Sequence, residues 1–391
     1  MKFRNEKLGG IVPTDRRWSW LQVDLDAIRH NINLTKSKIG PNKKLLVIVK
    51  ADAYGHGAVQ IAKTAINCGA SYLGVATVDE AMELRDAKIK GKILILSQPP
   101  VSAVPLLVKH DIIPAIHSTE FAIQYAEAAD RAGKIAPYHL AVNTGMNRIG
   151  VRHNEVLDFL KSISFHRALE LEGTFTHFAT ADIADEMEFK KQLALFQTLL
   201  DNMKSADIDP GVVHAANSAA IFRYPESHFD MVRLGVCMYG YYPSDLIKNY
   251  VELKPAMSVH ARIVDERILG IGEGVSYGHK YRSRSSVKIC TIPIGYADGL
   301  HREASGKIGV IYNGRIFPQV GAICMDMCMF EIDMNSAVAQ QNFNAQIGEE
   351  VILAGSNGEA EISIDDLAKA CGTINYEIIC SFSRRMPVIY V

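Results

Sequence analysis

The chain has 391 residues, of which 48% are hydrophobic, and this length favours two domains because single cores stop growing near roughly 250–300 residues. The 42 lysines and arginines nearly balance the 43 aspartates and glutamates without a long run of one sign, which argues against nucleic acid and membrane partners. Neither a signal-peptide pattern nor the ~20 uninterrupted apolar residues of a transmembrane helix is present, so we expect a cytoplasmic protein.

Between residue 44 and about residue 240, short apolar runs alternate with segments of helical periodicity. Near-continuous apolar strands separated by helices are typical of a parallel sheet that is buried on both faces. Eight such units predict an α/β domain at residues 24–246, folded as a TIM-type (β/α)8 barrel. The predicted strands are 44–50, 72–77, 92–97, 111–116, 137–142, 172–179, 211–217 and 231–236. The predicted helices include 78–89, 119–133, 154–163 and 188–206.

Residues 247–391 read as a β-rich C-terminal domain, because glycine is frequent there and β-branched runs replace the helical periodicity. The Asn-Gly pair at 313–314 predicts a β-hairpin. One embedded helix is expected at 363–372. An N-terminal strand that begins within residues 1–23, in the stretch WSWLQVDL, is expected to join this domain.

Several residues with chemical potential lie where predicted barrel strands end. In such barrels catalytic groups gather at the carboxyl ends of the strands, and the loops after strands seven and eight commonly hold a phosphate. Lys50 ends the first predicted strand, His177 lies near the end of the sixth, and Ser218 follows the seventh. Gly235 and Val236 close the eighth. We therefore expect these five residues at one face of the barrel.

Lys50 is the candidate chemical centre of that face. A lysine at the mouth of an apolar barrel is costly unless it is neutralised, and desolvation lowers the pKa of a buried amine. An aldehyde cofactor meets this demand, because imine formation consumes the amine and a phosphate tail would occupy the last two loops. Taken alone, Lys50 reads more readily as a solvated loop residue, so its neighbours decide between the two interpretations.

The order and rough spacing of a set of motifs resemble those of the fold-type III alanine racemases. The resemblance covers nearly the whole chain and both predicted domains, and the motifs are long enough that coincidence is remote. The motifs are VKADAYGHG (49–57), TGMNRIGV (144–151), THFATAD (176–182), HAANSA (214–219), MVRLGVCMYG (231–240), GVSYGHKY (274–281), IGYADG (294–299), GAICMDM (321–327) and INYEI (374–378).

The resemblance implies roles for individual residues. Lys50 would bind the cofactor pyridoxal 5′-phosphate, Arg233 would face its pyridine nitrogen, and Arg148 would lie near its phenolic oxygen and the substrate carboxylate. The partner subunit would insert Tyr277 opposite the lysine and would bring Met325 to the substrate carboxylate. The implied cofactor-binding set further contains Tyr54, His177, Asn217, Ser218, Gly235, Val236 and Tyr376, and the implied supporting set contains His214, Tyr296, Asp182 and Asp326.

The resemblance also implies a homodimer that interconverts L-alanine and D-alanine. Racemisation needs one base on each face of the α-carbon, so Lys50 would take the proton from the D-enantiomer and Tyr277 of the partner subunit from the L-enantiomer. Because an arginine only donates, the pyridine nitrogen facing it would stay unprotonated, which favours racemisation over transamination. The family's supporting chain of hydrogen bonds maps to Tyr277, His177, Arg233 and His214.

The sequence departs from the family pattern near the expected substrate site. Several members carry a lysine modified to a carbamate seven residues before Arg148, and commonly an aspartate five before it; these positions are Ala141 and Asn143 here. We expect a chloride ion or a water molecule in the space beside Arg148. Ala322 replaces an arginine common at the substrate channel, and Ile379 replaces a proline, which leaves the preferred amino acid open.

Other functions stay open on the sequence alone. A serine or broad-specificity amino-acid racemase is the first alternative, because a small pocket discriminates one methylene by only about 1–3 kcal/mol. A non-catalytic pyridoxal-phosphate carrier is the second, although a carrier has no use for Tyr277 as a second base. A fold-type III decarboxylase is the third, and the VSYGH and CMDM segments argue against it.

No metal site is expected. The seven cysteines include no CxxC pair, and their odd number favours reduced thiols. The thirteen histidines show no HExxH spacing. The segment GIGEGVSYG lacks the glycine spacing and the following helix of a dinucleotide-binding loop, so that interpretation is rejected.

Overall fold

A computed structural model describes residues 13–334, 345–382 and 384–391. Within these residues the chain forms two compact units. The barrel unit consists of Asp26–Ala53 and Gly57–Pro255. The β-rich unit is drawn from three stretches of the chain: the part up to Leu25, the short insertion Tyr54–His56, and Ala256–Val391.

The barrel unit contains a closed ring of eight parallel strands, which confirms the predicted (β/α)8 barrel. Strand β1, Ser19–Val23, precedes it in the chain. Pairing of β5 with β6 closes the ring, in which β2 also pairs with β10. The barrel strands β2 to β6 are Lys44–Ile48, Tyr72–Val75, Lys92–Ile95, Ile112–Ile116 and Ala136–Asn143; β8 to β10 are Leu169–Phe175, Val212–His214 and Met231–Leu234. The short β7, Val151–Arg152, pairs with the end of β6.

The barrel helices begin and end at residues with clear local signals. Thr77 caps one helix in a capping box with Glu80, and Ser118 caps another by accepting a hydrogen bond from the Phe121 amide. Gly133 ends the latter helix in the left-handed conformation, at φ 64°. The helices of this part of the chain are Leu25–Ile39, Ala58–Asn67, Val78–Asp86, Val104–Lys109, Thr119–Ala132, Val156–Ile163, Met187–Ser205 and Ser218–Arg223, with 3₁₀ turns at Val101–Ala103, Pro225–Ser227, Val236–Tyr239 and Asp245–Asn249.

The β-rich unit is built around a largely antiparallel sheet. Strand β1 lies in it, antiparallel to β11 and parallel to β21. The Asn313-Gly314 pair forms the predicted hairpin between β16 and β17, with φ values of 46° and 72° that suit a type I′ turn. Strands β11 to β21 are Met257–Arg262, Asp265–Leu269, Gly274–Val275, Tyr281–Arg282, Val287–Ile292, Gly309–Tyr312, Arg315–Val320, Cys328–Asp333, Glu350–Asn357, Ala360–Ile362 and Val388–Tyr390.

The described part of the β-rich unit contains two more helices than the sequence indicated. The expected helix is Ile364–Cys371, and a second one, Asn375–Ser381, follows after a turn at Gly372. The second helix is short and carries isoleucines that count as β-formers, which hid it from a reading of periodicity. The remaining elements are the helix Pro13–Arg16 and the 3₁₀ turns Tyr277–His279 and Arg302–Ala304. Among the described residues, no helix combines the length and apolarity needed to cross a membrane.

Candidate active site

Lys50 lies two residues beyond the end of β2, where the backbone turns left-handed. Ala51, Asp52 and Ala53 have φ values of 52°, 53° and 53° with ψ near 50°. For residues with a Cβ atom this conformation costs roughly 1–2 kcal/mol each, so the surrounding structure has to hold it in place. Strain of this kind clusters at functional sites, and here it begins at the lysine that the sequence singled out.

Two carboxylates hold this left-handed segment. The Asp52 Oδ1 accepts a hydrogen bond of 2.8 Å from the Ala58 amide, at the start of the next helix. The Glu80 Oε1 accepts one of 2.7 Å from the Ala51 amide, while its Oε2 accepts from the Ala76 amide at 2.8 Å. The sequence analysis missed Glu80. Its Thr-x-x-Glu pattern signals a helix cap, but not the backbone segment that the same carboxylate supports.

Arg233 lies on β10 with only 3% of its surface exposed. Its Nη2 donates to the carbonyl oxygens of Thr176 and Ala215 at 2.8 Å each, and its Nη1 donates to the His214 carbonyl at 3.1 Å. Burial, followed by the charge of Arg148, lowers the pKa of the guanidinium to about 9. Arg233 therefore remains a cation at neutral pH, fixed by carbonyl acceptors on neighbouring strands.

His177 receives a hydrogen bond from Arg233 and lies among positive charges. The distance from Arg233 Nη2 to His177 Nδ1 is 3.2 Å. Desolvation is the main cause that lowers the pKa of His177 to about 3, and the charges of Arg233, Arg148 and Lys50 add to it. The ring is therefore neutral at pH 7. Because Nδ1 accepts from an arginine, the single ring proton lies on Nε2.

His214 lies on the other side of Arg233 and is fully buried. Its Nδ1 is 3.0 Å from Arg233 Nη1, and its Nε2 is 2.8 Å from Nδ1 of His139. Burial lowers the pKa of His214 well below its ordinary value. The sequence analysis missed His139. Its place on an apolar strand gave no motif, and only the closed barrel shows which inward-facing side chain it meets.

The loops after the last two barrel strands place amide and hydroxyl donors together. The Gly235 amide donates to Ser218 Oγ at 2.8 Å, and Asn217 caps the helix that begins at Ser218. Val236 begins a 3₁₀ turn directly after β10. The first amides of such turns have no partner within the turn and attract anions. This arrangement suits a phosphate group.

Tyr54 and Tyr376 lie together in the β-rich unit, with ring centroids 6.1 Å apart. Burial, followed by the Cys380 thiol, raises the pKa of Tyr54, so its phenol is protonated at neutral pH. Gly55 follows Tyr54 with φ 82°, and a Cβ atom there would lie 2.2 Å from the Ile379 carbonyl oxygen. The tight contact explains why glycine is needed at this point.

Three of the residues named from the β-rich sequence are exposed. Tyr277 is 73% exposed, Met325 is 53% exposed and Tyr296 is 43% exposed. The backbone holds Met325 in position, since the Ala297 amide donates to its carbonyl oxygen at 3.0 Å. All three side chains are therefore accessible to solvent in the single chain.

The two supporting aspartates have different surroundings. Asp326 accepts a hydrogen bond of 2.6 Å from Arg385, and Arg385 Nε lies 3.4 Å from the buried Asp298. Asp182, in the barrel unit, accepts a hydrogen bond of 2.6 Å from Ser244 through its backbone carbonyl. Only Asp326 thus belongs to a charged cluster in its own unit.

Arg148 is exposed, and the positions that depart from the family pattern do not bind it. Ala141 is 1% exposed and packs against Phe175. The side-chain oxygen of Asn143 accepts from the amides of Gly145 and Asn147, at 3.0 Å each. Across the residues placed by the structure, no carboxylate pairs with Arg148.

Comparison with known families covers both units. A family model described as the alanine racemase N-terminal domain matches residues 23–243, and one described as the alanine racemase C-terminal domain matches residues 256–390. The chain belongs to the alanine racemase family. The resemblance stated from the motifs is therefore confirmed.

Individual alanine racemases match along nearly their whole length. The protein named alanine racemase from Desulfovibrio desulfuricans is 42% identical over 372 residues, which cover 95% of this chain and 98% of that one. The alanine racemase of Clostridium novyi is 40% identical over 375 residues, 95% of each chain. The crystal structure of alanine racemase from Bacillus anthracis with bound L-Ala-P has a TM-score of 0.89 at 37% identity, covering 96% of this chain and 95% of that one.

Proposed function

We propose that the protein catalyses the racemisation of L-alanine and D-alanine with pyridoxal 5′-phosphate, by means of two bases. The observation that carries the proposal is the convergence of three cations, Lys50, Arg148 and Arg233, on the neutral ring of His177. Cations gathered around one ring repel each other, and such a cluster of one sign is typical of a site that binds an anionic group. A phosphorylated aldehyde and an amino-acid carboxylate both supply negative charge.

The donor set fits this cofactor. The hydroxyl of Ser218 and the backbone amide of Val236 lie in one place, since the Gly235 amide bonds to Ser218 Oγ, and a phosphate requires such donors. Arg233 offers only donors, which suits an unprotonated pyridine nitrogen. Lys50 offers the amine that an aldehyde needs. When bound, the cofactor withdraws electrons from the α-carbon of an attached amino acid and so acidifies its proton.

The residues of this chain would move the proton. Lys50 would take it from and return it to one face of the α-carbon, as the base for D-alanine. Tyr277 of the partner subunit would act on the other face, for L-alanine. His177 supports a phenolate oxygen there, because its Nδ1 accepts from Arg233 and its Nε2 proton is free to be donated.

We further propose that the protein is a homodimer with composite sites. Tyr277 and Met325 are exposed in the single chain, whereas Lys50, His177 and Arg233 of the barrel are buried or half-buried. A two-fold symmetric dimer would give each barrel one tyrosine from the other chain. Met325 would then contact the substrate carboxylate through its backbone amide, opposite Arg148.

A chloride ion beside Arg148 is part of the proposal. Arg148 has no carboxylate partner among the described side chains, and Ala141 leaves no group there to modify. An anion would neutralise the guanidinium and orient it. Anomalous scattering from crystals grown with bromide should show a peak beside Arg148; the absence of a peak, with Arg148 bound to a protein group instead, contradicts this part.

The direct test of the function is incubation with single amino acids in deuterated water. The purified protein, loaded with pyridoxal 5′-phosphate, should invert L-alanine and D-alanine and incorporate deuterium at the α-carbon. L-Serine and larger amino acids, assayed in parallel, should react more slowly. If serine is turned over faster than alanine, serine and not alanine is the preferred substrate. Release of carbon dioxide, or no exchange with any amino acid, would overturn the proposal.

A further inference from the structure

A line of buried polar side chains continues behind Arg233, away from His177. Arg233 Nη1 lies 3.0 Å from His214 Nδ1, and His214 Nε2 lies 2.8 Å from His139 Nδ1. His139 Nε2 then lies 3.5 Å from Oε1 of Glu172, which is longer than a normal hydrogen bond but still a contact with the carboxylate charge. None of the family roles assigned above reaches His139 or Glu172.

The arginine fixes the direction of every bond in this line. A guanidinium has only donors, so His214 Nδ1 must accept and its proton must lie on Nε2. That proton is donated to His139 Nδ1, which places the second ring proton on Nε2 as well, facing Glu172. Burial lowers the pKa of both histidines, so each ring carries one proton at neutral pH.

The far end of the line is a carboxylate that other residues keep ionised. Tyr72 donates to Glu172 Oε1 at 2.5 Å, and Lys92 Nζ lies 3.1 Å from the same oxygen. Burial by itself would raise the pKa of Glu172, but the contact with His139 and the bonds from Tyr72 and Lys92 outweigh it and lower the pKa to about 2. Glu172 is therefore the negative charge that faces Arg233 through two polarised rings.

The fold makes room for this line at a glycine. A Cβ atom at Gly173 would lie 2.6 Å from Cε1 of His139 and 2.7 Å from the Val212 carbonyl oxygen. The imidazole thus fills the space that any other residue at 173 would need. His139 and His214 also face each other edge-on, with ring centroids 5.0 Å apart. Both rings have no freedom to turn.

We propose that Glu172 and His139 are positioning residues that act through His214 on Arg233. Together with His214 they form a one-directional line of hydrogen-bond contacts, each donated away from Arg233, that holds the guanidinium oriented toward His177 and thereby fixes the His177 proton on Nε2. The inference rests on the proposed function, in which His177 supports the base Tyr277 of the partner subunit. Arg233 makes its other bonds only to neutral carbonyls and to His177, among the described residues. Glu172 is the carboxylate at the far end of the line of side chains behind this buried cation.

Neutron diffraction from crystals of the perdeuterated holoenzyme tests the line directly. The expected map shows one deuteron on Nε2 of His214 and one on Nε2 of His139, with both Nδ1 atoms bare. A deuteron on Nδ1 of either ring overturns the proposal, whether the ring is the other tautomer or a cation. This result does not depend on turnover, so it is separate from the test of the racemase activity.

Two conservative variants test the functional consequence. Glu172→Gln removes the charge and keeps the shape, and Tyr72→Phe removes one bond to the carboxylate. For Glu172→Gln we expect kcat to fall roughly fivefold to tenfold with KM within about twofold, because one charge-assisted contact behind the arginine is lost. For Tyr72→Phe we expect a kcat between that of the wild type and that of Glu172→Gln. Glu170→Gln, exposed on the same strand, is the matched control and should behave as wild type.

Two further readouts separate positioning from general damage. The α-deuterium isotope effect should rise for L-alanine in Glu172→Gln and stay unchanged for D-alanine, since only the Tyr277 side depends on His177. The pH titration of the bound cofactor's absorbance should move to lower pH in this variant, because a negative charge is lost from the site. Unchanged isotope effects and an unchanged titration in a folded Glu172→Gln protein overturn the proposal. If the wild type does not racemise alanine, the proposed function fails instead.

Discussion

The candidate site residues of the barrel unit and those of the β-rich unit differ in burial and in hydrogen bonding. In the barrel unit Arg233, His177 and His214 are joined by hydrogen bonds of 3.0–3.2 Å, and Arg233 and His214 are buried. In the β-rich unit Tyr277 and Met325 are largely exposed. The first set is organised by its own chain. The second set presents side chains at the surface, where the proposed dimer would place them against the other subunit.

The difference has a physical origin in charge. Buried polar groups have to be bonded, so Arg233 and His214 are held by neighbours on adjacent strands. An exposed phenol or thioether is satisfied by water and needs no such support. Arg233 and its histidine neighbours are therefore held by their own chain, whereas in the proposed dimer Tyr277 would gain its environment from the other subunit.

The largest expected effect lies in the barrel. Lys50→Ala should lower kcat/KM by more than ~10⁴-fold, because it removes both the amine that binds the cofactor and one of the two bases. The absorbance of the lysine-bound cofactor should also vanish. Lys44→Ala, at the exposed start of the same strand, is the control and should leave both measurements unchanged. Retention of the cofactor absorbance in Lys50→Ala would assign the link to another lysine.

The second largest effect lies in the β-rich unit. Tyr277→Phe should lower racemisation by ~10²–10⁴-fold, the usual contribution of one general base, while cofactor binding persists. In deuterated water D-alanine should still exchange its α-proton with retention of configuration, and L-alanine should not. Tyr250→Phe, at another exposed tyrosine, serves as the control. Racemisation at the wild-type rate in Tyr277→Phe would show that the exposed surface carries no base.

A smaller effect is expected where the barrel stores strain. Glu80→Ala removes the acceptor for the Ala51 and Ala76 amides and should lower kcat roughly tenfold by displacing Lys50. Asp79→Ala, exposed in the first turn of the same helix, should cost less than ~1 kcal/mol of stability and no activity. Steady-state kinetics and thermal unfolding of the two variants make the comparison. If Glu80→Ala and Asp79→Ala have the same kinetic constants, the left-handed segment keeps its conformation without Glu80.

The smallest effect is a difference in acid stability between the two units. The histidines with lowered pKa in the barrel unit are His117, His139, His177, His214 and His228, whereas the β-rich unit contributes His260. Between pH 6.5 and the pKa of the histidine in the folded state, which is about 3 for His177, the unfolded chain binds more protons than the folded chain. Stability is therefore full above pH 6.5 and falls as the pH drops, by up to ~1.4 kcal/mol per unit for each such histidine.

The two units can be followed separately in this experiment. Both tryptophans, Trp18 and Trp20, belong to the β-rich unit, so their fluorescence reports its unfolding. Hydrogen exchange of amides on β2 and β10, corrected for chemical exchange, reports the barrel. When the pH is lowered from 7.5 to 5.0, the free energy of unfolding reported by the barrel amides should fall more than the one reported by tryptophan fluorescence. An equal loss in both would contradict the assignment of neutral buried histidines to the barrel.

Much of the barrel was predictable because its strands are apolar and its helices carry caps. The strand predicted at 72–77 is Tyr72–Val75, and the helix predicted at 119–133 is Thr119–Ala132. The strand predicted at 211–217 ends at His214, since Asn217 caps the next helix. Local sequence signals specify where these elements begin and end, within a few residues.

The supporting residues of the site were harder to predict. Glu80 looks like an ordinary helix cap, and His139 and Glu172 lie on strands without a motif. Their roles depend on which inward-facing side chains meet across a closed barrel, and that is set by strand register rather than by sequence spacing. The left-handed backbone after Lys50 is equally invisible, because alanine and aspartate rarely adopt it.

Mixed dimers test the central claim most directly, which is that one chain supplies Lys50 and the other Tyr277. Lys50→Ala and Tyr277→Phe proteins should each be inactive as homodimers. When the two are co-expressed, a dimer with one chain of each kind has one site with both wild-type residues. The random mixture should therefore recover about a quarter of the wild-type alanine racemisation rate. If the mixture stays as inactive as the separate variants, the two bases belong to the same chain and the account is wrong.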